Sequence, residues 1–520
     1  MAQPARRAVC LGGVAACATT AFGTVRARTG EGARPSLPIP PELRADAGGV
    51  VALDARPGSM RFQAGRETAT YGVNGPYLGP AVRLRRGERV VAQVSNGVPE
   101  DITMHWHGLV VPGADDGGPH QVIAPGKRWR AELSVDQPAA TLWFHPHLYP
   151  STAELVTKGL AGLMIVDDDE SHRLPLPSRW GADDIPLVIQ DRRFTPDGQF
   201  FERFNVTAVT NGYVGDTALV NGARYPEART ARGWLRLRIL NGSNARSYAL
   251  AASDGRPLYV VASDGGLLAS PVELKRLLVH AGERFEALVD GRDGAAFDLL
   301  TLPVAQAIMR LPPFDGPLPL LTVRPDGADG EGRLPDSLAA LPPLPERPPP
   351  VSQELVMNMF RDEQGMMALK RAGLVAMAES GRADPAVVGR VVDLIVNGPA
   401  LTRADRLSAN GVNGKPFALG ERGFAAARDQ DLRWRISEGS DRMLHPVHVH
   451  GCQFRILSRD GKPPEAERAG WKDTAPVSAG GVTEILLRFP HSAGPDDPYM
   501  AHCHILEHED SGMMAQFTVP

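Results

Sequence analysis

The sequence predicts an all-β protein that is built from three consecutive β-sandwich domains. Three observations support this fold class. The 520 residues include 55 glycines and 46 prolines, a composition that favours many short strands and turns over long helices. Several segments alternate apolar and polar residues with a period of two, which indicates strands with one buried face. Finally, three local signals recur along the chain in the same order.

Each repeat begins with a V-N-G turn, continues with an alternating strand that ends in a polar-Gly turn, and ends with a small-Gly turn that opens another strand. The V-N-G turns start at Val73, Val220 and Val412. The alternating strands are RVVAQVSNG, WLRLRILNG and LRWRISEG, and the third signals are APGKRWRAELSVD, HAGERFEALVD and SAGGVTEILLRF. Each repeat therefore predicts one β unit that packs as a sandwich.

Composition places the boundaries between these units. An acidic run at 167–170 precedes a Pro-containing connector, and LPPLPERPPP at 341–350 predicts a stiff linker because proline cannot continue a strand ladder. MNMFRDEQGMMALKRAGLVAMAES breaks the β pattern and predicts a Met-containing helical insert at 357–377. The predicted domains, each of ordinary size, are 50–170, 180–325 and 350–520.

The N-terminal residues have the features of an export signal. Arg6 and Arg7 precede a small-residue apolar stretch and a Val25-x-Ala27 site, so residues 1–27 are expected to direct the chain to a periplasmic or other extracytoplasmic location. The two arginines leave a twin-arginine route open. A lipid anchor at Cys17 is the less favoured alternative to a plain cleaved signal. No integral membrane segment is expected after signal removal.

The formal net charge of -4, without a long basic run, argues against a nucleic-acid partner, and we expect a monomer. Only Cys452 and Cys503 remain after the leader, so no disulfide framework is expected and at least one thiol needs another role. Cys452 is interpreted as a small packed residue.

Most of the 14 histidines fall into four short motifs: HWHG and HPH in the first unit, HPVHVHG and HCHILEHEDSGM in the third. A lone H-x-H is weak evidence, since many are surface pairs or packed core residues. On a strand it places both imidazoles on one face, so four pairs in phase can meet only across a domain interface. Eight neutral imidazoles suit copper, iron, nickel or zinc and are too many for one ion, which predicts a metal cluster. The eight are His105, His107, His145, His147, His448, His450, His502 and His504.

Cys503 should point away from its neighbours His502 and His504, towards a second metal site. Its candidate partners are His445, His508 and Met513, and two histidines, one cysteine and a weak methionine are the blue-copper set. Zinc is the competing metal, but it has no use for a thioether or for electron transfer. Electrons are expected to enter at Cys503 and leave through the two flanking histidines.

These motifs, split between the first and last units, resemble those of the multicopper oxidases. The resemblance covers essentially the whole mature chain and implies three cupredoxin-like Greek-key β-sandwich domains. LHPVHVHGCQFRILSRDGKPPEAERAGWKDT with MAHCHILEHEDSGMM looks most like the bacterial cuprous oxidases of copper efflux, with laccases and bilirubin oxidases as close alternatives. A non-enzymatic relative with a cell-division or copper-buffering role is disfavoured, because such relatives typically lose ligands and every ligand position is filled here.

The resemblance implies four copper ions: one of type 1, one of type 2 and two of type 3. Family members take electrons one at a time at type 1 and reduce dioxygen to two waters at the other three. Asp116 and Glu509 match acidic residues that relay protons, although either could be a solvated surface charge. The implied ligands are His445, Cys503, His508 and axial Met513 for type 1; His105 and His448 for type 2; His107, His145 and His504 for one type 3 copper; and His147, His450 and His502 for the other.

The electron donor is predicted from residues next to the type 1 ligands. In the resembling enzymes, an Asp and a Met that match Asp441 and Met443 help to bind a substrate copper, and Met359 aligns with a third ligand. The fourth ligand should be acidic, but Gln364 stands there, with Asp362 or Glu363 as possible substitutes; the insert methionines also have helical spacing and could simply pack. The prediction is an exported oxidase of Cu(I), with phenols as slower substrates. The alternative is a general laccase or a bilirubin-oxidase-like enzyme.

Overall fold

The computed structural model describes residues 34–380, 384–421, 423–439 and 443–520. The predicted export signal at 1–27, with Cys17, and the predicted substrate residue Asp441 lie outside the described residues. The described chain forms six β-sheets, which pack as three sandwiches in chain order. The all-β, three-sandwich prediction is thereby confirmed.

The first sandwich shows the period-two burial that the sequence predicts. In RVVAQVSN every second side chain is buried, so one face of the strand meets the core. The two sheets have the strand orders β3-β2-β5-β7 and β1-β4-β9-β8-β6. The elements are β1 Glu42–Leu43, β2 Val50–Gln63, β3 Arg66–Val73, β4 Ala81–Arg85, β5 Arg89–Asn96, β6 His105–His107, a 3-10 turn Gly113–Asp115, β7 Arg128–Ser134, β8 Ala140–His145, α1 Thr152–Lys158, β9 Gly162–Asp167 and α2 Asp169–His172.

In the second sandwich, the central strands are buried on both faces. The apolar side chains of WLRLRIL enter the core, whereas Arg236 and Arg238 face the first domain and pair with buried carboxylates. The two sheets have the orders β11-β10-β13-β18-β15-β16 and β12-β20-β19-β14-β17. The elements are β10 Asp184–Arg192, α3 Val206–Asn211, β11 Thr217–Val220, β12 Glu227–Arg229, β13 Trp234–Asn241, β14 Tyr248–Ala252, β15 Leu258–Ser263, β16 Gly266–Leu274, β17 Leu277–Val279, β18 Arg284–Asp290, β19 Phe297–Leu302, a 3-10 turn Ala307–Arg310 and β20 Leu318–Arg324.

The third sandwich follows the irregular, proline-rich segment at 341–350. Its sheets have the orders β22-β21-β24-β28-β26 and β23-β30-β29-β25-β27. The elements are β21 Val351–Met359, α4 Asp362–Ala372, α5 Leu374–Ser380, α6 Pro385–Asn397, α7 Arg403–Leu407, β22 Asn410–Val412, β23 Phe424–Ala425, β24 Leu432–Glu438, β25 His445–Val449, β26 Phe454–Arg459, a 3-10 turn Ala466–Arg468, β27 Thr474–Val477, β28 Val482–Leu487, β29 Tyr499–Cys503, α8 Leu506–Glu509 and β30 Met514–Thr518.

The helical insert differs from its predicted bounds of 357–377. It begins at Asp362, because Val351–Met359 is a strand that pairs in parallel with β24 and buries Met357 in the third core. Helix α5 reaches Ser380, beyond the predicted end, and a further helix, α6, begins at Pro385, where Asp384 accepts the N–H groups of two residues in the first turn. Helices α4, α5 and α6 pack against the second domain. No helix in the described part of the chain has the length and apolarity needed to cross a membrane.

The V-N-G turns have the same geometry in all three domains. Asn74, Asn221 and Asn413 adopt φ values of 57°, 50° and 52°, a left-handed conformation that asparagine tolerates better than most residues. In each case the side-chain oxygen accepts a backbone N–H of a sandwich strand at 2.7 Å. The repeated motif therefore forms the same structure in each domain, a turn that is hydrogen-bonded to a strand of its own sandwich.

Candidate metal centre

Paired strands bring the histidine motifs of the first and third domains together. In β6 and β8, His105 lies opposite His145, and in β25 and β29, His448 lies opposite His502. The rings of the two domains then meet face to face. The ring centroids of His107 and His448 are 3.6 Å apart and nearly parallel. The predicted convergence across a domain interface is therefore present.

The eight histidines form a closed cluster in which none is more than 1% exposed. Imidazole Nε2 atoms face one another at 3.3 Å between His105 and His448, and at 3.2 Å between His450 and His502. Three groups, the first two of which share His107, have their donor atoms within 4.8 Å of one another: His105, His107 and His448; His107, His145 and His504; and His147, His450 and His502. The second and third groups contain the residues implied for the two type 3 coppers.

Burial makes these imidazoles suitable as ligands. Removal from water disfavours the charged imidazolium, so burial lowers the pKa well below its ordinary value. A neutral imidazole keeps the lone pair that a metal needs. The pKa is lowered in this way for His107, His145, His147, His448, His450 and His504.

In four of these rings, hydrogen bonds fix which nitrogen is available to a metal. Nδ1 of His105, His145 and His448 lies 2.8–2.9 Å from a backbone carbonyl oxygen. A carbonyl only accepts, so Nδ1 donates and Nε2 presents its lone pair. His107 is reversed: its Nε2 lies 3.1 Å from Asp473 Oδ1, and its Nδ1 faces Nε2 of His145 at 3.4 Å.

The second donor set surrounds the cysteine. Cys503 Sγ lies 3.4 Å from His445 Nδ1 and 3.7 Å from His508 Nδ1, and these three buried residues form a further donor group. The backbone N–H of Ile505 points at the same sulfur from 3.4 Å. Met513 is fully buried, and its carbonyl accepts the Cys503 N–H at 3.1 Å. The four residues implied for type 1 copper thus lie in one place.

The donor atoms fit copper. Both ring nitrogens of His504 are buried and have no hydrogen-bond partner among the described residues, a costly state for an imidazole unless it binds a metal. Copper favours groups of three imidazoles, and it also favours a His-Cys-His group beside a thioether. Which residue binds which copper ion stays a prediction.

Comparison with known proteins gives the family. Models described as multicopper oxidase match residues 54–171 and 395–520. A laccase-like multicopper oxidase, CueO, from the lignin-degrading bacterium Ochrobactrum sp. is 39% identical, with a TM-score of 0.79 and coverage of 93% of this chain and 100% of that one. This chain belongs to the multicopper oxidase family. The resemblance seen in the sequence is confirmed.

Two further relatives of this multicopper oxidase differ in their described roles. The cell division protein FtsP of Yersinia pestis is 34% identical over 495 residues, which cover 95% of this chain and 94% of that protein. A multicopper oxidase of Campylobacter jejuni, described as a metallo-oxidase, is 25% identical, with a TM-score of 0.77 and coverage of 94% of this chain and 96% of that chain.

The two acidic residues predicted as proton relays are buried in this multicopper oxidase, so neither is a solvated surface charge. Asp116 Oδ2 lies 2.7 Å from His450 Nδ1 and 3.4 Å from His105 Nδ1. Glu509 lies between His147 and His502, at 3.4 Å and 3.1 Å from their Nδ1 atoms. Burial alone would raise the pKa of Glu509, but the two adjacent histidines lower it below its ordinary value.

Only some of the residues predicted to bind a substrate copper line the same cavity. A cavity of about 680 Å³ lies between the second domain and the helical insert and is lined by Met443, Asp362 and Met366, among other residues. Met359 is not part of that lining and packs against the third core instead. Gln364 points elsewhere and accepts from Arg361 at 3.3 Å. Asp362 is therefore the acidic residue of the insert that shares a cavity with Met443.

The motifs gave no indication of an ion-pair cluster behind the histidines. Arg284 of the second domain donates to Asp473 of the third, which contacts His107. Lys472 lies 2.8 Å from the buried carboxylate of Asp264. These partners are far apart in the chain. The one sequence feature that could have indicated the cluster is a Lys-Asp pair directly before the apolar strand β27.

The glycine that ends HWHG is required by the site. Gly108 has φ +89°, and an added Cβ would lie 2.5 Å from Asp473 Oδ2 and 2.6 Å from Arg284 Nη2. Gly451, which ends HVHG, has φ +71°, and its Cβ would lie 2.3 Å from the ring of Tyr499. Only glycine satisfies both the backbone and the space at these positions.

Proposed function

We propose that this multicopper oxidase couples the one-electron oxidation of Cu(I), and more slowly of phenols, to the four-electron reduction of dioxygen to water, as an exported copper-detoxifying enzyme. One observation carries the proposal. Cys503 lies in the His-Cys-His donor group, while its neighbours His502 and His504 belong to two different three-histidine groups. A segment of three residues thus joins the donor set that accepts electrons to the centre that uses them.

The residues fit four copper ions. Bound copper would supply one-electron redox chemistry and the binding of dioxygen. The His502-Cys503-His504 backbone provides a covalent path between the two sites. The proposed ligands are His445, Cys503, His508 and Met513 for type 1; His105 and His448 for type 2; and His107, His145 and His504 with His147, His450 and His502 for the type 3 pair.

Reduction of dioxygen to water consumes protons inside a closed site. Asp116 and Glu509 are buried carboxylates within 3.4 Å of imidazole Nδ1 atoms on two sides of the histidine cluster. A positioned carboxylate is the usual means of moving protons where water is excluded. We assign both residues as proton relays and Cys503 as the electron-transfer residue.

The cavity at Met443 supports a cuprous substrate. Met443 stands two residues before His445, and its cavity also holds the Asp362 carboxylate and the Met366 side chain. Thioethers bind Cu(I) because both are soft, and a carboxylate offsets the charge of the incoming cation. Asp441, just before Met443 in the chain, and Met359 complete the proposed substrate set. The apolar remainder of the cavity, which includes Leu369 and Leu374, can admit a phenol.

Oxygen uptake by the copper-loaded protein tests this proposal. We would compare Cu(I) with a dimethoxyphenol, the phenol with and without added Cu(II), in wild type and in Met443→Leu, Asp362→Ala and Asp441→Ala. The matched control is Gln364→Ala, on the same helix as Asp362 but bonded to Arg361. We expect slower Cu(I) oxidation in the first three variants only. Unchanged Cu(I) oxidation in all of them would contradict the substrate site and favour a general laccase.

A second candidate function is a role in cell division. The observation that favours it is the 34% identity with FtsP of Yersinia pestis along 94% of that protein. A purely structural role does not account for the buried geometry of three histidine groups and a His-Cys-His group. The same experiment decides: absence of oxygen uptake with every donor, in protein that has taken up copper, would favour the non-enzymatic role.

A further inference from the structure

The second domain contributes none of the proposed copper ligands, yet one of its side chains reaches the centre. Arg284, at the start of β18, is fully buried and has five N–H donors. Its Nε donates to Thr141 O at 3.1 Å, in the first domain. Nη1 donates to Gly282 O at 3.1 Å and Nη2 to Asp264 O at 3.2 Å, both in the second domain.

The two remaining donors bind the third domain. Nη1 and Nη2 donate to the two oxygens of Asp473 at 2.8 Å and 2.5 Å, a fork that fixes the plane of the carboxylate. All five donors therefore have an acceptor, and these acceptors come from all three domains. A lysine has three donors on one nitrogen and cannot reproduce this arrangement.

The oriented carboxylate of Asp473 contacts a histidine of the centre. Its Oδ1, held by Arg284, lies 3.1 Å from His107 Nε2. A carboxylate that accepts from Nε2 keeps the proton there and leaves the Nδ1 lone pair facing His145. Thr474 Oγ1 donates to the same oxygen at 3.0 Å, and the backbone N–H of Thr474 donates to Asp264 at 3.2 Å.

We propose that Arg284 is a positioning residue, through which the second domain sets the ring orientation and tautomer of His107 in the histidine centre. The neighbouring backbone supports this role. Gly282, which accepts from Arg284, has φ +79°, and an added Cβ would lie 2.7 Å from the ring of His504. The Gly282–Arg284 turn therefore contacts two histidines of one donor group. Arg284 acts on His107 through Asp473, and Gly282 packs against the ring of His504.

The proposal rests on the proposed copper-binding function, so its test includes a measurement on metal-free protein. The variant is Arg284→Lys. The matched control is Arg238→Lys, because Arg238 is also buried in the second domain, pairs with Asp184 at 2.7 Å and bonds to Thr141 of the first domain. The His107 tautomer is read from the ring ¹⁵N shifts of histidine-labelled metal-free protein, assigned with His107→Gln. Copper per chain and the visible absorption of the cysteine site are measured after loading with Cu(II) and dialysis against a chelator.

We expect Arg284→Lys to lose the fixed Nε2–H tautomer of His107 and to hold copper in the histidine groups about tenfold more weakly, while the cysteine-site absorption remains. Arg238→Lys should keep the tautomer and the copper even if its Tm falls. An unchanged tautomer in Arg284→Lys, or equal copper loss in both variants, would overturn the proposal.

Two further outcomes are also decisive. If Arg284→Lys does not fold, Asp473→Ala breaks the same link and leaves the other three Arg284 hydrogen bonds in place. A retained His107 tautomer in Asp473→Ala would overturn the proposal. A lost tautomer would support it. If wild type takes up no copper, the proposed function fails, and the tautomer measurement still decides the role of Arg284.

Discussion

The Nε2 atoms of His147 and His502 lie 3.1 Å apart, although 355 positions separate the two residues along the chain. His147 lies two residues after the end of β8 in the first domain, and His502 lies within β29 of the third. Two buried imidazole nitrogens gain little from facing each other without a cation between them. The interface between the first and third domains is therefore expected to depend on bound metal.

Copper should accordingly stabilise the folded chain. A ligand that binds only the native state adds about 3 kcal/mol to the free energy of unfolding when its free concentration is about a hundredfold above Kd. We expect Tm to rise when copper is added and to fall with a chelator. His147→Gln should reduce the rise, whereas His172→Gln, at a position 55% exposed, should not. A Tm that is indifferent to copper in wild type would contradict this prediction.

The two described cysteines should behave differently when replaced by serine. Cys503→Ser removes the sulfur between His445 and His508, so we expect loss of the blue colour and of about one copper per chain. Cys452→Ser is the control, because Cys452 is also buried but belongs to none of the donor groups among the described residues. Visible spectra and copper analysis check both. A blue Cys503→Ser protein would refute the assignment.

Gly108→Ala should destabilise the protein more than the same change at another left-handed glycine. At Gly108 the new Cβ would clash with Asp473 and Arg284 in addition to the strain of φ +89°. Gly126 has φ +73° and nothing within 4 Å of an added Cβ, so Gly126→Ala carries only the backbone cost of about 1 kcal/mol. Urea denaturation measures both free energies of unfolding. Equal losses would show that the Gly108 pocket can relax.

Acid should weaken the interface between the first and second domains through Glu286. Burial raises the pKa of Glu286, but Arg236 and Arg238 outweigh it and lower this pKa to about 2, from 4.5 in the unfolded chain. Thr141 also donates to this carboxylate at 2.6 Å. The folded state therefore gains stability above pH 4.5 and loses it, by about 3 kcal/mol, as pH falls towards 2.

Glu286→Gln should flatten the pH dependence of the free energy of unfolding in that range and lower stability at neutral pH. Glu67→Gln is the control: its pair with Arg61 is at 2.8 Å, but both side chains are more than half exposed, so little stability depends on it. Denaturant titrations from pH 2 to pH 7 compare the variants. An unaltered slope in Glu286→Gln would show that other carboxylates dominate acid unfolding.

Local pattern was enough to predict much of this molecule. Alternating residues in RVVAQVSN and LRWRISE give strands with one buried face, and the H-x-H spacing gives ligand pairs on one side of a strand. The insert shows the limit of such patterns. Met359 has helical spacing with Met366 and Met367, but Leu355 and Met357 alternate into the third core, and Val351–Met359 forms a strand that pairs in parallel with β24.

Residues that act through distant partners were not predictable. Arg284 and Asp473 are 189 positions apart, and neither stands in a motif that implies the other. The same holds for Asp510, whose carboxylate accepts the N–H groups of Thr152 and Ala153 at the start of α1. Such contacts depend on how the domains dock, which no short segment encodes.

The division of the histidines between the two ends of the chain has a consequence for how the protein is made. A nascent chain that has completed its first two domains carries only His105, His107, His145 and His147 of the eight. The remaining imidazoles and the whole His-Cys-His group lie between His445 and Met513. The proposed metal centre is therefore completed only late in synthesis. A chain that stops short of Met513 is left with an unfinished centre and exposes the face of the first domain that the third would cover.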